Sequence, residues 1–103
     1  SMAIKRIWRG WTTHGNAEVY RKLLTQVVKP GIEVKNIPGY RSLELLSRDI
    51  GNEVEFMTIM TFDTLEDVVG LQGPDYENAY VPEAAQTVLS RWDQTCLHYE
   101  SAE

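Results

Sequence analysis

The stretch from Glu53 to Phe62, which decides the fold, reads EVEFMTIMTF. Its β-branched and aromatic residues are typical of a strand, and successive side chains of a strand point to opposite faces of the sheet. Large apolar residues lie on both faces: Phe56, Met60 and Phe62 on one, Met57 and Ile59 on the other. A sheet with one solvated face would alternate apolar and polar residues. We therefore expect both faces of this sheet to be covered.

Turn residues divide the rest of the chain into elements in the order β-α-β-β-α-β. The four predicted strands are Ile4 to Thr13, Tyr40 to Arg48, Glu53 to Phe62 and Gln94 to Ser101. A hairpin turn is predicted at residues 49–52, because the Gly and Asn there tolerate positive φ. This order predicts an α+β, ferredoxin-like fold, in which two helices cover one face of a four-stranded antiparallel sheet.

The helices are predicted from capping residues and apolar spacing. Asn16 is the expected N-cap of the first helix, and Pro30 should kink or interrupt that helix because it has no N–H to donate. Asp63 and Glu66 have the spacing of a capping box at the start of the second helix. A further helical turn is expected at residues 75–80, and a last helical piece from Pro82 to about residue 90.

Composition excludes several functional classes. A chain of 103 residues that is 43% hydrophobic and 24% charged predicts one globular domain, residues 3–103, after a Ser1-Met2 remnant of an expression tag. A net charge of −5 with scattered basic residues argues against nucleic-acid binding. The apolar runs are too short to span a membrane. A single cysteine, Cys96, favours the reducing cytoplasm.

The face of the predicted sheet that no helix covers leads to a prediction about assembly. One copy of the chain supplies helices for only one face, although both faces carry large apolar residues. A chain of this length buries only about two-thirds of its unfolded surface. We therefore expect a homodimer in which two sheets pack face to face.

Six short motifs, in order along the chain, are similar to those of a known family. They are IWRGW at 7–11, IPGY at 37–40, VEFMTI at 54–59, DYE at 75–77, VPE at 81–83 and HYE at 98–100. With these motifs the chain resembles the antibiotic biosynthesis monooxygenase family, and in particular its small bacterial members, from about Ala3 to Glu100. The resemblance implies a dimeric α+β barrel. It also implies oxygenation of an aromatic, polyketide-like substrate by O2 without metal or flavin.

A related branch of that family degrades haem with an Asn, a Trp and a His. In this chain the corresponding positions are taken by Trp8, by Leu71 and by Tyr80 or Val81. The resemblance therefore implies that haem degradation is not the activity here, although His14 or His98 could still bind haem. The resemblance also places Tyr76, Asn78 and Tyr80 in the region of the metal-free enzymes' pocket.

Three residues are candidate catalytic groups for oxygenation of a phenol. His98, on the same side of its strand as Cys96 and Glu100, is the candidate base, because an ordinary histidine titrates near neutral pH. Arg9 could stabilise a phenolate by charge-assisted hydrogen bonds, and Tyr76 could donate to the ligand. Each also has a structural interpretation: a histidine at the edge of the core, an arginine paired with a carboxylate, and a tyrosine that seals the helices.

A larger aromatic set suggests a pocket for a flat ligand. The candidate substrate-binding residues are Trp8, Trp11, Tyr20, Tyr40, Phe56, Tyr80 and His14. The alternative is that the aromatics form only the core and an interface. Trp8 and Trp11 point to opposite faces of the sheet and cannot both line one wall.

The sequence leaves more than one function open. A cofactor-free monooxygenase acting on an aromatic phenol is the first hypothesis. The alternatives are a non-catalytic module that binds a small hydrophobic ligand, and another reaction such as isomerisation or dehydration. A metal site is not expected, because Cys96 and His98 supply two ligands where three or four are needed.

Overall fold

The fold is an antiparallel sheet with helices on one face, so the predicted α+β class is confirmed. The computed structural model describes residues 2–102, and the expectation for Ser1 lies outside them. The strands are β1 Ile4–Thr12, β2 Tyr40–Asp49, β3 Val54–Phe62, β4 Arg91–Trp92 and β5 Leu97–Glu100. The helices are α1 His14–Leu23, α2 Lys29–Glu33, α3 Leu65–Gln72 and α4 Glu83–Gln86. None of the helices within residues 2–102 is long and apolar enough to cross a membrane.

The strand order is β2-β3-β1, with β4 and β5 both paired to the free edge of β1. The sheet thus has five strands, whereas the sequence predicted four. The predicted fourth strand forms only over Leu97–Glu100, as β5, because residues 94–96 turn away from β1: Ala79 N–H donates to the Gln94 carbonyl, and Cys96 N–H donates to the Glu77 carbonyl. The short strand β4 was not predicted. The hairpin between β2 and β3 forms as expected, with Ile50 N–H bonded to the Glu53 carbonyl.

Both predicted helix caps are displaced. Thr13, not Asn16, caps α1, and its Oγ1 accepts from the Asn16 N–H at 3.2 Å. The capping box of α3 consists of Thr64 and Asp67, one residue beyond the predicted pair. The predicted spacing of three is correct, but an equivalent pair of polar residues one position later takes the role.

The predicted interruption near Pro30 takes the form of a π turn over Leu24–Val28, between α1 and α2. Pro30 then lies in the first turn of α2, where a missing N–H breaks no intrahelical bond. The wide turn lets the helical chain continue over the sheet as far as Glu33.

Two predicted helical segments in the second half are shorter or absent. Residues 74–77 form a turn, and Asn78 bridges to Thr95, so the expected helical turn at 75–80 does not form. The piece expected from Pro82 is reduced to the short α4, with Pro82 as its N-cap. Tyr76 and Tyr80 therefore do not share a helical face.

The two faces of the sheet have different surroundings. The cavity face, defined by Arg6, Trp8, Phe56, Met60 and Phe62, packs against the helices. There the Tyr20 and Phe56 rings lie 4.8 Å apart, and Phe56, Phe62 and Val68 are fully buried. The open face is defined by Ile7, Arg9, Trp11, Glu55 and Met57, with no helix of residues 2–102 packed over it. Trp8 and Trp11 lie on opposite faces, as predicted.

Candidate functional site

A cavity of about 620 Å³ lies between the cavity face and the helices. The helical wall consists of Tyr20, Leu23, Leu24, Val27, Val28 and Ile32, and the sheet wall includes Trp8, Leu43, Thr58, Met60 and Cys96. The segment 79–85, with Leu71, closes one side. This volume and the mostly apolar lining are typical of a site for a small organic molecule.

Among the described residues, Arg6 is the one charged residue of the sheet wall, and it is only 4% exposed. Its Nη1 donates to the Tyr76 carbonyl at 2.5 Å and to His98 Nε2 at 2.9 Å, and its Nη2 donates to the Asn78 carbonyl at 3.5 Å. Burial lowers the pKa of the guanidinium, which nonetheless stays charged at neutral pH. No carboxylate within residues 2–102 forms an ion pair with it.

His98 is a hydrogen-bond acceptor in this arrangement. A guanidinium only donates, so His98 Nε2 must accept, and its ring is neutral with the proton on Nδ1. Burial and the Arg6 charge lower the pKa of His98, whereas Glu77 acts in the opposite direction. The Tyr76 ring packs edge-on against the imidazole, with centroids 5.1 Å apart. His98 thus holds Arg6 in place.

Trp8 and Cys96 complete the sheet wall beside Arg6. Trp8 Nε1 donates to the Asp93 carbonyl at 2.9 Å. A Cβ at Gly10 would come within 2.7 Å of the Trp8 ring, so the glycine allows the indole to lie flat along the strand. Burial raises the pKa of the Cys96 thiol, and the opposing effect of the Arg6 charge is smaller. The thiol therefore stays protonated at neutral pH.

Comparisons with known proteins address the fold. Neither a protein-family model nor a curated protein matches the chain. A Bacillus cereus structure, provisionally named an antibiotic biosynthesis monooxygenase, is 12% identical, with a TM-score of 0.65 over 100% of this chain and 96% of that one. A Mycobacterium tuberculosis structure is 17% identical, with a TM-score of 0.58 over 98% and 94%. A Chloroflexus aurantiacus structure with the same provisional name is 15% identical, with a TM-score of 0.55 over 98% and 92%.

The fold is that of the antibiotic biosynthesis monooxygenases. Identities this low extend the likeness to the fold alone. The chemistry of this chain must therefore be argued from its own cavity.

Three of the predicted binding residues line the cavity. Trp8 lies on the sheet wall and Tyr20 on the helical wall, where burial raises the pKa of the Tyr20 phenol. Tyr80 stands at the mouth and is 77% exposed. These three lie around the same space, as the hypothesis of a pocket for a flat ligand requires.

The other predicted residues on this side of the sheet lie outside the cavity lining. Phe56 packs behind Tyr20, and Tyr40 packs against Phe62 while its hydroxyl donates to Glu33. Tyr76 contributes its backbone carbonyl to Arg6. His98 bonds to Arg6.

His14 lies in a different part of the molecule. It is exposed and bonds Asp49 at 3.0 Å. Neither histidine offered as a haem ligand lines the cavity. Residues 2–102 contain no group of three or more His, Cys, Asp or Glu side chains that could hold a metal ion.

Arg9 and Trp11 belong to the open face. Arg9 forms an ion pair with Asp93 at 3.1 Å, which is the structural interpretation given above for this residue. The Trp11 ring lies 5.2 Å from the Arg9 guanidinium and 4.0 Å from that of Arg91, and its Nε1 donates to Glu55. The sheet separates these residues from the cavity.

The residue that sequence reasoning missed is Arg6. It lies two positions before Trp8 and so shares the cavity face, which the strand period alone could have indicated. Its burial could not be inferred in that way, because its partners Tyr76, Asn78 and His98 lie 70 to 92 positions further along the chain.

Proposed function

We propose that the protein binds an aromatic, polyketide-like phenol in the cavity and oxygenates it with O2. The observation that carries the proposal is the cavity itself, large, mostly apolar and covered by helices, with Trp8 along its sheet wall. The provisional names of two structural neighbours support the reaction class at the level of fold.

The substrate must supply the electrons, as an anthrone does. Loss of a proton from the anthrone CH2 leaves a carbanion, whose carbon forms a bond to O2. The resulting peroxide takes up a proton, and loss of water leaves a carbonyl. The net change is CH2 plus O2 to C=O plus H2O. In this scheme the cavity excludes water from the peroxide and orients the ring.

A second candidate function is binding without catalysis. The ionisable residues that line the cavity are Arg6, Lys35, Tyr20, Tyr80 and Cys96. None of them is a histidine or a carboxylate, the commonest general bases, and the His98 lone pair is already bonded to Arg6. This observation favours a module that holds a small hydrophobic ligand.

Oxygen uptake on a panel of anthrones and dihydroxynaphthalenes separates these candidates. Val27→Trp should narrow the cavity, because Val27 lines it yet is 61% exposed. Val19→Trp is the matched control on α1, 53% exposed and outside the cavity. We expect saturable uptake that Val27→Trp abolishes and Val19→Trp keeps.

The other outcomes have distinct meanings. A rise in melting temperature with the same compounds but no uptake would support the binding module. Turnover that proceeds equally without oxygen would point to isomerisation or dehydration. The absence of both turnover and thermal stabilisation would contradict both candidate functions.

We also propose that two copies of the chain pack through the open face. Its partly exposed apolar residues are Ile7, Leu46, Met57, Ile59, Leu97 and Tyr99. Two of the charged groups beside them are already paired, Arg9 with Asp93 and Arg48 with Glu55, whereas Lys5 and Glu44 on the same face form no ion pair within residues 2–102. A second copy could therefore cover the Arg9–Asp93 and Arg48–Glu55 pairs without leaving their charges bare.

Light scattering at micromolar concentration tests the dimer. We expect the mass of two chains for the wild type, and of one chain for Met57→Glu with unchanged circular dichroism. The mass of a single chain for the wild type would contradict the proposal.

A further inference from the structure

We infer that Arg6 makes the cavity selective for aromatic ligands that carry an oxyanion, either a carboxylate or an ionised phenol. This inference rests on one half of the proposed function, that the cavity binds a ligand, and is independent of the oxygen chemistry.

The first argument is the contrast between Arg6 and the other five arginines. Each of those pairs with a carboxylate, and their side chains are 41% to 70% exposed: Arg9, Arg21, Arg41, Arg48 and Arg91. Arg6 is 4% exposed and has only neutral partners. A buried charge is normally paired, because removing it from water is costly. Within residues 2–102, no carboxylate supplies a counterion to Arg6.

The second argument is the set of donors that Arg6 keeps. A guanidinium has five N–H donors, and the hydrogen bonds of Arg6 use Nη1 twice and Nη2 once. Within residues 2–102 no hydrogen bond uses Nε. Arg6 lines the cavity, so the remaining donors are available to a ligand oxygen there.

The third argument concerns how firmly the charge is held. The Tyr76 and Asn78 carbonyls and His98 Nε2 fix the end of the side chain from behind. All three are neutral acceptors, so they orient the guanidinium without cancelling its charge. Such a prepositioned donor loses little conformational freedom when a ligand binds.

The chemistry of the ligand follows from the rest of the lining. Apart from Arg6, the sheet wall offers only weak polar groups, the Thr58 hydroxyl and the Cys96 thiol. The complementary molecule has a flat apolar body and one oxyanion directed at the sheet. Its charge-assisted hydrogen bonds to Arg6 would be shorter and stronger than neutral ones.

The test compares 2-anthracenecarboxylate with the uncharged 2-anthracenecarboxamide, using their fluorescence at neutral pH. We expect the wild type to prefer the carboxylate by about tenfold or more. Arg6→Met should bring this ratio close to one with little change for the amide. Lys22→Met removes one positive charge from an exposed helical position and should leave the ratio unchanged.

A third probe distinguishes the two kinds of oxyanion. 2-Hydroxyanthracene reports its own ionisation by absorbance. If the site also takes ionised phenols, the wild type lowers the pKa of the bound phenol, and Arg6→Met does not. A lowered pKa together with a carboxylate preference would assign both ligand types to the site. A carboxylate preference without it would restrict the site to carboxylates.

Several results would overturn the inference. The first is equal affinity of the wild type for the carboxylate and the amide. The second is a carboxylate preference that survives Arg6→Met. The third is loss of the carboxylate preference in Lys35→Met, which would assign that preference to the exposed lysine at the mouth. Arg6→Gln takes the place of Arg6→Met if circular dichroism shows that the latter is unfolded. If neither anthracene binds, the inference fails, and the proposed function fails with it only when the oxygen-uptake panel gives neither turnover nor thermal stabilisation. Oxygen uptake by the wild type without any carboxylate preference would leave the proposed function standing alone.

Discussion

The buried and exposed arginines on the two faces of this sheet have different kinds of partner. On the open face, Arg9 pairs with Asp93, and Glu55 accepts hydrogen bonds from Arg48 and Trp11. On the cavity face, Arg6 is buried with neutral partners beside a cavity of about 620 Å³. A charge paired within the chain supports the structure. A buried charge that is left unpaired beside a cavity is available to a ligand.

The largest expected difference between the faces concerns packing, and neighbouring residues on β3 measure it. Phe56 is fully buried on the cavity face, and Met57 lies half-buried on the open face. Phe56→Ala should lower the free energy of unfolding by about 3 to 5 kcal/mol, because it leaves a void in the core. Met57→Ala should cost about 1 kcal/mol or less.

Chemical denaturation at one low protein concentration measures both losses. Equal losses would mean that the two faces are equally covered, against the architecture described here. A loss for Met57→Ala that grows with protein concentration would report the proposed dimer.

The next effect is the paired charge of the open face. Glu55→Gln keeps the size of the side chain but weakens the bonds from Arg48 and Trp11, so we expect a loss of about 1 kcal/mol at neutral pH. The Arg48 hydrogen bond, more than any other contact, holds the pKa of Glu55 below its usual value, although burial opposes it. Stability from this carboxylate is therefore present above about pH 4.3 and is lost as the pH falls through the folded-state pKa.

Denaturation curves over a range of pH check this prediction. The difference between the wild type and Glu55→Gln should shrink in acid, where Glu55 becomes protonated. A constant difference would show that the charge of Glu55 contributes nothing to stability.

The smallest effect concerns His98 on the cavity face. Its pKa is lowered in the folded state by burial and by Arg6, partly offset by Glu77, so the unfolded chain binds the proton more tightly. The free energy of unfolding should therefore fall as the pH drops below about 6.5. His98→Gln keeps an acceptor for Arg6 and cannot be protonated, so it should lack this part of the decrease.

All other titratable groups are the same in both proteins, so subtracting the two curves isolates His98. Parallel curves for the wild type and His98→Gln would contradict the neutral, accepting imidazole assigned here.

The sequence predicted local features of the fold better than it predicted the site. Strand periodicity correctly placed Trp8 and Trp11 on opposite faces. The π turn lies just before Pro30, close to the predicted interruption of the helix. The caps were each displaced, because Thr13 and Thr64 lie close to the predicted residues and compete equally well in the sequence.

The site was harder to predict because tertiary contacts define it. Strand periodicity places Arg6 and Arg9 on opposite faces of β1, but only the fold shows that Arg9 meets a carboxylate while Arg6 does not. His98 is likewise a residue type that commonly acts as a base, but its lone pair accepts a hydrogen bond from a residue 92 positions away. Such long-range contacts cannot be inferred from local sequence patterns.

A crystal structure of the wild type with 2-anthracenecarboxylate tests the central claim most directly. The account predicts the rings inside the cavity along Trp8, with a carboxylate oxygen within hydrogen-bond distance of the Arg6 guanidinium. A carboxylate directed toward Lys35 at the mouth, or a ligand bound on the open face, would contradict it.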